Sequence, residues 1–107
     1  MRAKRLMLAA VMATAIPAGH AAGQESGQSS RGLALAQRLC AKCHAVQKEH
    51  SQSPNANAPC FQAIASIPGM SATALSAILN TPHRAMPNIM LAADEQADII
   101  AYILSLK

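Results

Sequence analysis

Cys40 and Cys43 stand three apart, and His44 follows the second thiol at once, in the run Cys-Ala-Lys-Cys-His. Three kinds of chemistry use such a set. A structural zinc site wants four ligands, typically two close pairs. The second pair would have to come from Cys60, His50 or His83, none of which shows zinc-finger spacing. A redox dithiol of the C-x-x-C type wants a strand-helix-strand context, and a plain disulfide would leave His44 without a role. The remaining option uses all three residues: C-x-x-C-H is the attachment signature for c-type haem. Each thiol adds to one vinyl group to form a thioether. Two intervening residues on a helical turn set the sulfurs at the two vinyl edges, and the next residue turns its imidazole to the iron. The pattern therefore predicts one covalently bound haem c per chain.

Iron held by His44 needs a sixth ligand or keeps an open position. Met70, Met86, Met90, His50 and His83 are the candidates. For a single methionine the ordinary role is core filling, and Met70, beside Pro68-Gly69, reads that way. Met86 differs because it sits in the irregular run "HRAMPN", with Pro87 just after it, where a thioether can project into a pocket without disturbing a helix. Thioether is soft and neutral, favours ferrous iron and raises the potential. Met86 is the expected ligand; Met90, a histidine or an open site are the alternatives. Two protein ligands leave no vacant position for a substrate, which describes an electron carrier and not an enzyme. No distal acid–base pair is recognisable, although His83 lies three before Met86.

The elements that must position these groups read as helices. Leu33, Leu35, Ala36, Leu39 and Cys40 recur at three- and four-residue steps, which predicts a helix over 32–46. "QKEHSQSPNANAP" is a polar loop with two prolines. "CFQAIASI" predicts a short amphipathic helix stopped by Pro68 and Gly69, and "MSATALSAILN" a third helix with Ser71 as N-cap, ending at Asn80. "TPHRAMPNIM" is irregular again. A last helix is expected over 93–106, with Asp94 and Glu95 in its first turn, Ala92 as a weak N-cap, and Ile99, Ile100, Ile103 and Leu104 as its buried stripe. The expected fold is all-α, four short helices with long loops, and loops this long in so small a domain usually serve a site.

The compartment follows from the N-terminus. Arg2, Lys4 and Arg5 precede the apolar run Leu6 to Ile16, then Pro17 and the small-residue stretch "AGHAAG". This is the layout of a secretory signal peptide, expected over 1–22, and the apolar run is short for a bilayer span. Residues 23–31, polar and flexible in composition, read as a linker, and 32–107 as the folded domain. The full chain carries nine basic and five acidic side chains, a formal charge of +4. Three of the basic residues leave with the leader while all five acids stay, so six against five gives +1, and the basic excess is a targeting signal rather than a nucleic-acid footprint. With no Trp, one Phe and one Tyr, apolar burial alone supports such a domain poorly. Three cysteines cannot all pair within the chain, whereas a covalent haem fills the core, uses two thiols and leaves Cys60 over.

Taken together, "GLALAQRLCAKCH", "APCF", "HRAMPNIML" and "ADIIAYILSL" resemble a small bacterial class I cytochrome c, monohaem and His/Met-ligated, over nearly all of 32–107. The resemblance implies a helical fold wrapped round haem c, with the first and last helices crossing at Gly32 beneath Tyr102. It implies that the Pro59 carbonyl accepts Nδ1–H of His44 and that Phe61 packs against the haem. Ala36 stands where the family carries an aromatic, which either loosens the crossing or leaves Tyr102 to fill the gap. Cys60 departs from the small or polar residue expected there. The implied function is soluble, periplasmic electron transfer by a monomer with transient redox partners, Lys42, Lys48 and Arg84 being candidates for steering an acidic one. A cytochrome subunit of a dehydrogenase or oxidase complex, and a haem sensor with a displaceable Met, are the competing readings.

Overall fold

A computed structural model describes residues 27–81 and 86–107, together with the isolated positions Met12 and Ala15. The expected leader, over 1–22, falls almost wholly outside the described residues, as do His83 and Arg84. Four helices follow in order: α1 (Ser29–Leu39), α2 (Phe61–Ala65), α3 (Ala72–Asn80) and α4 (Ala93–Leu104). Among the described residues there is no strand. No described helix is long and apolar enough to cross a membrane.

The first helix both starts and stops earlier than its periodicity predicts. Ser29–Arg31, expected in the linker, form its first turn. This turn is met from another helix: the N–H of Gln28, the residue before it, donates to Oδ1 of Asp98 at 2.6 Å, and the Arg31 guanidinium pairs with Oδ2 at 3.0 Å. A carboxylate at a helix N-terminus satisfies free amides and complements the dipole. Asp98 lies on α4, seventy residues along the chain from Gln28, so the sequence around α1 does not reveal this partner. At the other end, the Ala36 carbonyl takes both the Cys40 and the Ala41 amide, at 2.8 and 2.9 Å, and α-geometry ends there. A separate single turn follows, in which the Cys40 carbonyl accepts Cys43 N–H (3.1 Å) and His44 N–H (2.9 Å).

The crossing of α1 and α4 is the main contact of the fold. A Cβ on Gly32 would overlap the Asp98 carbonyl oxygen and lie 2.7 Å from Cβ of Tyr102, so only glycine lets the two backbones approach this closely. A Cβ on Gly27 would overlap the carbonyl of Ala97 in the same way. Ala36 is wholly buried and the Tyr102 ring packs beside Phe61, centroids 6.5 Å apart, so the crossing stays closed without the missing aromatic.

The remaining helices close the core. Phe61 and Ala65, one turn apart, bury the inner face of α2, and Gly69, at φ +77°, makes the left-handed turn that leads out of it. Ser71 caps α3, its hydroxyl accepting the Ala74 amide at 3.1 Å, worth about 1 kcal/mol. α3 buries Leu75 and is tied to α4 by Gln96 Nε2 donating to Ser76 Oγ at 2.8 Å. α4 is preceded by Ala92 as its N-cap, whose amide donates to the Glu95 carboxylate at 3.0 Å, and ends at Leu104, two residues short of the expected end. Its buried face holds Ile99, Ile100 and Ile103 as expected, with Tyr102 and Asp98 added and Leu104 only partly buried.

Candidate functional site

The single turn after α1 carries three of the sequence-predicted site residues. Cys40, Cys43 and His44 are all half-buried, and neither cysteine is in a disulfide. Partial burial pushes the Cys40 thiol above its ordinary pKa by withdrawing water from the thiolate. Among the described residues no three His, Cys, Asp or Glu side chains converge, as a protein-held zinc would require.

The His44 ring is fixed on two sides. Its Nδ1 lies 2.7 Å from the Pro59 carbonyl oxygen, an acceptor only, so Nδ1 carries a proton, and in the neutral ring Nε2 is the nitrogen with the lone pair. Phe61, 4 % exposed, packs tilted against the ring at 5.5 Å between centroids. Pro59 and Phe61 flank Cys60, which is half-buried at the start of α2. The Phe61 amide donates to the Ala45 carbonyl at 2.9 Å, which brings the end of the long polar loop back to the motif.

The methionines separate by environment. Met70 is buried in the core, and its carbonyl accepts from Nζ of Lys107 at 2.8 Å; it packs, as expected. Met90 is 87 % exposed. Met86 is half-buried in an irregular segment that continues through Pro87 to α4. His50 is exposed.

Several groups that hold the site have no motif to announce them. Ser53 and Asn55 lie inside a run that reads only as a polar loop, yet Ser53 Oγ accepts the Ala45 amide at 3.0 Å and the Asn55 amide donates to the Cys43 carbonyl at 3.1 Å. Tyr102 was legible as a packing aromatic; its hydroxyl also donates to the Val46 carbonyl at 2.5 Å. Asp98 breaks an apolar stripe, the one local hint that a buried polar group meets a partner there.

The cytochrome c family model matches residues 29–107 of the chain. Cytochrome c-552 of Bradyrhizobium diazoefficiens is 36% identical over 97 residues, which cover 91% of this chain and 89% of that protein. No solved structure matches significantly.

Proposed function

This chain belongs to the cytochrome c family, and from that premise we propose that it is a periplasmic carrier of single electrons, in which Cys40 and Cys43 would hold one haem c through thioethers and His44 and Met86 would ligate its iron. The observation that carries the reading is the 2.7 Å contact between His44 Nδ1 and the Pro59 carbonyl. With its proton committed there, the imidazole has one orientation and one tautomer, and Nε2 is the free donor that iron takes. The donor set fits the group: two half-buried thiols and an imidazole on one turn, and a neutral thioether in an irregular loop.

When bound, the haem supplies a one-electron iron couple. The chain's residues do the rest. Cys40 and Cys43 anchor the ring, so it survives transient partner encounters. The Pro59 carbonyl accepts the Nδ1 proton of His44, and that proton would have no need to move when an electron is exchanged. Phe61 and Tyr102 pack the interior beside His44 and exclude water from it. With His44 and Met86 both ligating, electron exchange requires no ligand to leave, and the reorganisation that accompanies it is small. Partners of this kind bury little area on docking. The lysine- and arginine-rich leader with its short apolar run supports the periplasmic assignment, and the likeness to a protein named cytochrome c-552 supports the carrier role.

The decisive test takes protein exported with haem-attachment machinery and extracts it in acidified organic solvent. The haem is expected to stay with the polypeptide, and oxidised and reduced spectra are expected to be low-spin. Cys40→Ala together with Cys43→Ala abolishes attachment and, since haem completes this small core, largely unfolds the domain by circular dichroism. Extractable pigment, or a stably folded double variant, would overturn the reading.

A further inference from the structure

The backbone that carries His44 is tied down residue by residue. The Cys43 carbonyl accepts from the Asn55 amide at 3.1 Å, and His44 Nδ1 donates to the Pro59 carbonyl at 2.7 Å. The Ala45 amide donates to Ser53 Oγ at 3.0 Å, and the Ala45 carbonyl accepts from the Phe61 amide at 2.9 Å. The Val46 carbonyl accepts from the Tyr102 hydroxyl at 2.5 Å, in the buried interior. Four consecutive residues are thus bonded to groups well outside their own turn. Three of the partners are backbone groups of the returning loop. Two are side-chain hydroxyls, one from the loop and one from α4.

We propose that Ser53 and Tyr102 are positioning residues for the proximal imidazole: by holding the Ala45 amide and the Val46 carbonyl they fix the backbone on which His44 stands, and so set how firmly Nδ1–H is held by Pro59 and where the haem potential lies. The inference rests on His44 being the iron ligand. Its physical basis is the effect of the Nδ1–H···O bond on the ring. A short, straight bond makes the imidazole a stronger donor at Nε2, which favours ferric iron and lowers the potential; a loosened one does the reverse. Val46 is 4 % exposed, so water cannot readily replace the tyrosine hydroxyl at its carbonyl. Ala45 is bonded through both its amide and its carbonyl, so losing Ser53 leaves it free to pivot about the Phe61 contact, two residues along the chain from Pro59.

The experiment compares the holoprotein with Ser53→Ala, Tyr102→Phe, Ser53→Thr and Ser71→Ala. It reads the midpoint potential at neutral pH and the exchange rate of the His44 Nδ1 proton by NMR in the reduced state. Ser53→Ala and Tyr102→Phe are each expected to raise the ferrous-to-ferric ratio at fixed ambient potential about threefold, a rise of about 28 mV at 59 mV per tenfold for one electron. The same variants are expected to speed Nδ1 exchange, since a loosened Nδ1–H···O bond opens more often to water. Ser53→Thr restores both readouts. Ser71→Ala, which removes the cap of α3, lowers the melting temperature and moves neither. If Tyr102→Phe fails to retain haem, Ser53→Ala decides alone. Low-spin, haem-bearing Ser53→Ala with wild-type potential and exchange overturns the inference while leaving His44 ligation standing. A wild-type protein without attached haem or a bonded Nδ1 proton overturns both.

Discussion

Gly32 on α1 and Asp98 on α4 meet backbone to backbone: a Cβ on Gly32 would overlap the Asp98 carbonyl oxygen and lie 2.6 Å from its carbon. Nothing flexible stands in the way to give ground. Gly32→Ala is therefore expected to destabilise the holoprotein by about 3 kcal/mol, at the upper end for overpacking, because two helices must separate. Urea unfolding monitored by circular dichroism checks this. A loss of under about 0.5 kcal/mol, the range of ordinary surface substitutions, would show that the crossing is not fixed by Gly32.

The same aspartate makes stability depend on acidity. The Gln28 amide, helped by the Arg31 guanidinium and opposed by burial, holds the Asp98 carboxyl below the ordinary carboxylate range. The Arg31 side chain is 56% exposed, so solvent screens its charge and the backbone hydrogen bond matters more. A carboxylate with a lowered folded-state pKa stabilises the fold above the unfolded value and loses that contribution as pH falls through the folded one. Wild-type melting temperature is expected to fall as pH drops below about 4, the carboxylate range. Asp98→Asn is expected to melt lower at neutral pH and to lose less than wild type on acidification. Parallel curves for the two proteins would remove Asp98 from the pH response.

Exposure separates the loop methionines. Met86→Ala is expected to leave haem attached, to admit carbon monoxide to ferrous iron, and to lower the potential by on the order of 0.1 V, a fraction of the about 0.8 V that axial ligation spans. Met90→Ala, at a side chain 87 % exposed, is expected to match wild type in both respects. Should Met90→Ala open the iron and Met86→Ala not, the ligand assignment reverses.

Groupings made by adjacent residues were legible in the sequence. Cys40, Cys43 and His44 share one turn because of their spacing, and spacing is a property of the chain. The same holds for Ser71, whose hydroxyl caps an amide three residues on, and for α2 to α4, whose apolar periodicity marks their existence and, within two residues, their ends. The glycine and tyrosine of the helix crossing were also readable, through their likeness to family motifs.

What local pattern could not determine is where separate stretches meet. α1 begins at Ser29, just after the Gln28 amide that a carboxylate from α4 receives, and it ends at Leu39, where the Ala36 carbonyl is shared between two donors. Apolar periodicity sees neither event. Ser53 and the Tyr102 hydroxyl acquire their partners only when the long loop folds back and α4 packs behind it. Hydrogen bonds between residues 8 and 56 positions apart leave no periodic trace. The chain thus specifies which atoms could hold a haem, while the close approach of α1 and α4 and the return of the loop select the direction in which His44 presents its free nitrogen.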